Sequence, residues 1–448
     1  MVKDDDESAP QASSCHQNQH QHQHRNDDDN ETNVDDHDDD ENSYFESVCV
    51  AYRQYANFAM SQWIHREYRL QTLSESQRKL LPADLRIGTP EYAKRSKDYK
   101  DAVIRNQFCL DCILRHAGQP HSQHQQQSDG PAANVTDDQV SKVSSVLKSL
   151  ARDWSTNGKI ERTMAYDPIK TLIKKYMPLQ PPSTPATSIP RIVVPGSGVG
   201  RLAFDLAAMG YSVQGNEFSM YMLLASDFIL NNGGSICNPG RPLHLGPWLL
   251  ESRNVHASTD PLRTVQIPDV DPMSVLMPPL PDDEDVDEGE ELPSSRSRRP
   301  VPEFSMAAGD FAAIYNHDRE AEQWDCVASC FFLDACPNIV ELLQVIYKML
   351  KPGGLFVNLG PLLYHWSGPP MRPDDKSLQE YRQRYQHLDD RYFTSIDLCY
   401  GDVKEILNNI GFEILEEEIG VECYYTTDQR SMMKTKYQCV SFVAKKTN

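Results

Sequence analysis

The chain of 448 residues predicts an α/β fold: a mostly parallel sheet, preceded by a helical region and closed by an antiparallel hairpin. Three observations carry this. Apolar residues recur at three-and-four spacing through Tyr44–Leu73, Tyr92–Ala117 and Val140–Ser155, as on amphipathic helices. After a proline-rich connector, Pro178–Pro190, the pattern switches to short apolar runs alternating with helical stretches. Near the C-terminus, Glu413–Tyr425 and Tyr437–Lys445 read as the two arms of a hairpin.

In chain order the sheet region reads as strand Arg191–Pro195, helix Gly200–Met209, strand Ser212–Glu217, helix Ser219–Asn231 and then an irregular stretch. Strand Trp324–Phe332, helix Asn338–Leu350, strand Gly354–Gly360 and helix Thr394–Ile410 follow. His116–Asp137 is polar, Gln/Ser-rich and reads as a loop. Residues 1–43 form a low-complexity tail, His/Gln-rich and then Asp-rich, and Pro272–Pro302 is a second low-complexity insertion. The expected organisation is therefore a disordered tail at 1–43, a helical region at 44–180 and a sheet domain at 181–448 with a disordered acidic insertion at 272–302. No internal repeat occurs.

The net charge of −21 is concentrated in two places. Residues 1–43 hold fourteen acids against two bases, and Asp282–Glu291 holds eight acids and no base. The remainder is close to neutral, so the acidity belongs to polar segments and not to a catalytic surface. Nucleic-acid binding, which wants a basic face, gains no support. No run of about 18 apolar residues and no apolar signal core is present, which predicts a soluble, intracellular protein with no membrane partner. Eleven cysteines without a framework read as reduced thiols. Cys109-x-x-Cys112 has metal-like spacing, but it lies in a helical stretch without a second pair and reads as buried structure. The histidines of the tail (His16, His20, His22, His24) read as solvated, so no metal is expected.

The run Arg191-Ile-Val-Val-Pro-Gly-Ser-Gly-Val-Gly-Arg is a strand, a glycine turn and a helix start. Glycines let the backbone turn tightly and approach a ligand, and a helix start presents N–H groups. The spacing Gly196-x-Gly198-x-Gly200 is one residue shorter than the dinucleotide fingerprint. The next strand ends in Glu217, twenty-one residues after Gly196, where a carboxylate can accept both ribose hydroxyls of a nucleoside. These details favour an S-adenosylmethionine turn; the plain alternative is a glycine turn beside a solvated glutamate. Gly309-Asp310-Phe311 stands where an adenine clamp would be needed, with a polar edge and an apolar face. Lys351-Pro-Gly-Gly354 then precedes the strand ending at Gly360.

With these residues in place, the chain resembles the carnosine N-methyltransferase family. The resemblance runs from about Tyr44 to the C-terminus, with gaps at the polar insertions. It rests on Arg152-Asp153-Trp154-Ser155, on Val194-Pro195-Gly196 through Gly215-Asn216-Glu217, and on Gly309-Asp310-Phe311. Trp324-Asp325-Cys326, Cys330-Phe331-Phe332, Leu359-Gly360-Pro361-Leu362-Leu363-Tyr364-His365 and Ser431-Met432-Met433-Lys434 complete it. It implies a Rossmann-like class I methyltransferase fold with a seven-stranded sheet, S-adenosyl-L-methionine as cofactor, and a His-containing dipeptide as substrate, methylated on an imidazole nitrogen. Cofactor contacts are implied for Arg152, Gly196, Glu217, Asp310, Phe311 and Cys330, and substrate contacts for Asp334, His365, Tyr425 and Tyr437. One departure is visible. The family's glutamine three residues before the arginine falls on Ser149, whose shorter side chain leaves that contact missing or bridged by water.

Methyl transfer from a sulfonium is an in-line displacement that depends on positioning. An imidazole is already partly neutral at pH 7, so the chemical demand is choice of tautomer. Asp334 or His365 is expected to accept the N–H of one ring nitrogen, as the catalytic group, with the tyrosines as walls. Arg152 is expected to bring the helical region over the cofactor and to grip its methionine carboxylate. Two other functions stay open: methylation of a protein histidine or another N-heterocycle, and non-catalytic cofactor binding. The cytosol, and also the nucleus, are the expected compartments, and a homodimer stays open.

Overall fold

The computed structural model describes residues 34–119, 136–180, 188–231, 236–277, 301–425 and 428–447. Most of the tail (1–33) and most of the acidic insertion (278–300) lie outside the described residues, as does 120–135 of the polar loop. Among the described residues five α-helices precede the sheet: α1 (Val34–Gln71), α2 (Glu75–Leu80), α3 (Pro90–His116), α4 (Asp137–Trp154) and α5 (Lys159–Tyr176). Local chemistry sets their starts. Thr89 caps α3 ahead of Pro90, and Thr136 with Gln139 forms a capping box on α4. Helix α1 begins inside the segment read as tail, and α5, absent from the sequence reading, is a full helix carrying Pro168.

The sheet region runs β1 (Arg191–Pro195), α6 (Arg201–Ala208), β2 (Ser212–Glu217), α7 (Met220–Asn231), β3 (Leu243–Leu245), β4 (Val265–Ile267) and α8 (Pro272–Leu276). Then come β5 (Phe304–Ala308), α9 (Phe311–Tyr315), β6 (Trp324–Cys330), α10 (Ile339–Met349) and β7 (Leu350–Gly360). The chain ends with α11 (Leu378–Arg384), α12 (Arg391–Thr394), α13 (Tyr400–Ile410), β8 (Phe412–Tyr424) and β9 (Lys436–Lys446). The main sheet has seven strands in the order β5-β2-β1-β6-β7-β9-β8. All pairs from β5 to β7 are parallel, and β9 pairs antiparallel with both β7 and β8. This is the expected Rossmann-like class I sheet with its C-terminal hairpin.

Several elements differ from the reading. Strand β5 was not foreseen; it is a short edge strand, Phe-Ser-Met-Ala-Ala, without strict alternation. The stretch after α7 contains the small antiparallel pair β3–β4, and α8 occupies the start of the supposed insertion, with Pro272 buried. The helix expected over Thr394–Ile410 begins only at Tyr400, where Cys399 and Asp402 cap its start; Thr394 is the last residue of the separate α12. Strand β6 stops at Cys330 because Phe331 turns to φ +54°, a left-handed backbone that ends a strand.

Helices α5 and α6 cover one face of the sheet, and α9, α10 and α13 cover the other. A third core joins α1, α3, α4 and α7 to β3 and β4. It buries Trp154, Tyr52 and Phe228 and seats the helical region on the edge of the sheet domain. Cys109 and Cys112 are fully buried within it, and no metal-binding group occurs among the described residues. No described helix is long and apolar enough to cross a membrane.

Candidate active site

A cleft of about 410 Å³ opens over the carboxyl ends of β1, β2, β5 and β6, where ligands sit in parallel α/β sheets. The turn after β1 forms its floor. Gly196, Gly198 and Gly200 all have positive φ (60°, 55° and 83°), and an added Cβ on Gly196 would strike Phe332 at 2.6 Å. At Gly198 an added Cβ would meet only Arg152 Nη2, at 4.0 Å. Loop and guanidinium thus leave a cradle between them.

Glu217, at the end of β2, sits beside that turn. Its carboxylate accepts from Gly198 N–H at 2.7 Å, Phe218 N–H at 3.0 Å and Ser219 N–H at 2.8 Å. Burial raises its pKa and these three donors pull it back. The carboxylate is aimed by backbone alone, which leaves its remaining lone pairs for a diol. Next to it, β5 pairs Ala308 with Glu217 and delivers Asp310 and Phe311. Asp310 Oδ1 caps α9 through Ala313 N–H at 3.0 Å, while Phe311 is buried against Phe332, ring centres 5.7 Å apart. This end of the cleft is apolar, with Phe332, Cys336 and Pro337 on its wall.

Arg152 closes the opposite end. Its Nε and Nη2 donate to both oxygens of Asp153, at 2.8 and 2.7 Å, and its guanidinium lies 5.0 Å from the Tyr425 ring centre. A guanidinium has five N–H donors, so the edge turned away from Asp153 remains for a carboxylate. The sequence reading missed what holds this arginine. Tyr166 donates to Asp153 at 2.8 Å, Trp154 Nε1 donates to the Val199 carbonyl at 2.9 Å, and Arg201 Nη1 donates to the Asp153 carbonyl at 2.7 Å. Arg162 donates to the Arg152 carbonyl at 2.5 Å and, with Arg201, grips Asp269. Gly158 permits this crossing, since an added Cβ there would lie 1.9 Å from the Arg152 carbonyl oxygen. Ser149, one turn before Arg152, is buried on the cleft wall.

Past the turn, the ends of β6, β7 and β8 and the start of β9 deliver the remaining residues. Cys330 lines the cleft half-buried, and desolvation pushes its thiol pKa up. Phe331 stacks on Tyr425 at 5.1 Å and meets Tyr437 edge-on at 5.7 Å. No spacing in the sequence marks Phe331; its positive φ is the signal, and only coordinates carry it. His365 and Tyr425 face the cleft and are exposed, whereas Asp334 is 1% exposed and does not line it. Asp334 Oδ2 accepts from Leu363 N–H at 2.7 Å, its carbonyl accepts from His365 N–H at 3.2 Å, and Oδ1 is buried without a hydrogen-bond partner. Burial raises the Asp334 pKa, and Tyr437 is raised by burial, by Tyr425 and by the nearby Asp334 charge. The described residues thus assemble Ser149, Arg152, Gly196, Glu217, Asp310, Phe311, Cys330, His365 and Tyr425 in one cleft, with Asp334 and Tyr437 immediately behind.

A cation at one end, a diol acceptor in the middle and an apolar slot with a polar edge at the other suit an amino acid, a ribose and a base in that order. The residues present therefore fit S-adenosylmethionine. The family model described as carnosine N-methyltransferase matches residues 130–448. The carnosine N-methyltransferase of Mus musculus is 34% identical over 413 residues, spanning 91% of this chain and 86% of that protein. That of Schizosaccharomyces pombe is 31% identical over 388 residues, spanning 86% of this chain and 90% of that protein. A solved phosphoethanolamine N-methyltransferase 2 of Haemonchus contortus with S-adenosyl-L-methionine is 14% identical, with a TM-score of 0.32, over 70% of this chain and 58% of that one. The chain belongs to the carnosine N-methyltransferase family and is an S-adenosylmethionine-dependent methyltransferase.

Proposed function

We propose that the chain methylates an imidazole nitrogen of the His moiety in carnosine, giving anserine, or in a related His-containing dipeptide. The observation that carries this is Asp334 Oδ1, buried without a partner just behind the cleft, where its backbone carbonyl meets His365 and its charge acts on Tyr437. A buried polar atom left unpaired by its own protein is costly, and a ligand N–H would satisfy it. The relatives' name supplies the dipeptide.

When bound, S-adenosylmethionine supplies an electrophilic methyl group on its sulfonium. Arg152 holds the carboxylate end, Glu217 the ribose, and Asp310 with Phe311 the base. An imidazole of pKa about 6.5 is mostly neutral at pH 7, so no strong base is required. Asp334, or His365 above it, accepts the N–H of one ring nitrogen and turns the lone pair of the other toward the methyl group. The same acceptor is placed to take the proton that the methylated ring sheds. Tyr425 and Tyr437 wall the ring. A water between Ser149 and the cofactor can replace the glutamine of the family pattern.

Labelled cofactor with carnosine, with Gly-His and with protein extract tests the reading. Label is expected in the dipeptides, with Asp334→Asn losing on the order of a hundredfold in kcat/KM at unchanged cofactor affinity. Full kcat in that variant would refute the tautomer role. Label confined to protein would favour a protein-histidine methyltransferase, and cofactor binding without turnover a non-catalytic protein. The proposed setting is the cytosol, with the nucleus as a second compartment, without nucleic-acid or membrane partners and as a monomer or homodimer. Fractionation and sedimentation check these.

A further inference from the structure

Tyr425 and Tyr437 flank the connection between β8 and β9, and that connection is tied to a distant part of the chain. Arg263 Nη2 contacts both carboxylate oxygens of Asp428, and its Nε donates to the Asp260 carbonyl at 2.8 Å. Its guanidinium lies over Trp248, 4.8 Å from the ring centre. Asp260 in turn accepts from Ala257 N–H at 2.9 Å and from Arg430 Nη1 at 3.3 Å. The Arg430 N–H returns to Asp428 Oδ1 at 2.9 Å. An antiparallel bridge joins Val255 to Ser431, and Met432 N–H donates to the Asn254 carbonyl at 2.7 Å. Two carboxylates that are 3% and 8% exposed and two guanidiniums therefore clamp the β8–β9 connection onto the excursion between β3 and β4.

That excursion is itself anchored to the helical region. Asn106 of α3 accepts from Gly246 N–H at 2.7 Å and donates to its carbonyl at 2.9 Å. The connection is thus tied to the helical layer as well as to the sheet, whose last pairs are Cys423–Tyr437 and Tyr424–Lys436. Arg263 and Asp428 are largely shielded, whereas Arg430 lies at the rim with its side chain 62% exposed. Such partly buried pairs add little net stability, but the shielded one holds one geometry. The geometry held here is that of the substrate wall. Tyr425, three residues before Asp428, stacks on Phe331 and lies under Arg152.

We infer that Arg263, through Asp428 and Asp260, is a positioning residue that holds Tyr425 and Tyr437 around the substrate ring. The inference rests on the dipeptide reading of the cleft. Its test uses the full chain with Arg263→Ala and with the near-isosteric Asp428→Asn, should the first fail to fold. Hydrogen exchange over residues 428–436 is expected to accelerate about tenfold in the variants, with β1 and β6 unchanged. The KM for carnosine is expected to rise roughly tenfold, the equivalent of about 1.4 kcal/mol. kcat and the S-adenosylhomocysteine Kd should stay within about threefold. Unchanged exchange overturns the clamp. Faster exchange with unchanged KM overturns its positioning role, and a joint loss of kcat, substrate affinity and cofactor affinity marks a general structural role instead. If the wild-type chain turns over no dipeptide, the dipeptide reading fails, while the exchange measurement still decides the clamp.

Discussion

Replacing Gly198 with alanine separates the cost of the turn from the cost of the cradle. At φ +55° an alanine pays about 1–2 kcal/mol for the left-handed backbone, and its methyl meets nothing closer than Arg152 Nη2 at 4.0 Å. Gly353, near the start of β7 at the opposite end of the sheet, is a matched control. Its φ is +76°, and an added Cβ there makes only an ordinary contact with Lys445 Cε at 3.6 Å. Both substitutions should therefore lower the apo Tm by a similar small amount, roughly 2–4 °C per kcal/mol for a large domain. Only Gly198→Ala places a methyl group between the loop and the guanidinium. It should weaken S-adenosylhomocysteine at least about tenfold, or about 1.4 kcal/mol. Calorimetric titration of both variants, alongside thermal melts, measures this. Wild-type affinity in Gly198→Ala, or an equal loss in Gly353→Ala, would show that the loop is not the cofactor cradle.

Asp334→Asn should keep or raise the Tm at pH 7 while activity falls. Burial raises this carboxyl's pKa, so its contribution to stability is full below the ordinary carboxylate value and is lost as pH rises through the raised one. The amide escapes that penalty, so its advantage should shrink as pH is lowered toward about 4. A lower Tm for the variant at pH 7 with no such trend would contradict this. At Phe331, φ +54° makes glycine the better small replacement, so Phe331→Gly should melt higher than Phe331→Ala by the equivalent of about 1 kcal/mol. Both variants should raise the dipeptide KM by removing the ring between Tyr425 and Tyr437, and an unchanged KM would exclude this wall from the substrate site. Deletion of residues 1–33 should leave kcat/KM within about twofold. Extending the deletion through residue 50 removes Tyr44 from the cleft and the buried Val48 and Cys49, and it should cost folding yield, read as soluble protein recovered.

Strands β1 and β2 were legible to the residue because apolar runs and turn residues are local signals. The same holds for the glycine turn and Glu217, whose spacing along the chain is the geometry that the ligand needs. The residues proposed to face the dipeptide came from resemblance, and nothing in their spacing would have singled out Asp334 or Tyr437. Strand β5 was invisible for a physical reason: an edge strand of small residues has no period to read, and its partner β2 defines it. The supports of Arg152 were invisible for another, since Arg201 meets Asp269 sixty-eight positions away. Arg263 and Asp428 are separated by 165 positions. The sequence by itself determined the parallel sheet, the glycine turn and the carboxylate beside it, because backbone preference and periodicity act over a few residues. Tertiary structure alone decided which charges are buried together, where Phe331 reverses the chain and what holds the two tyrosines in place. Those depend on desolvation and contact between segments far apart in the chain, for which no local pattern exists.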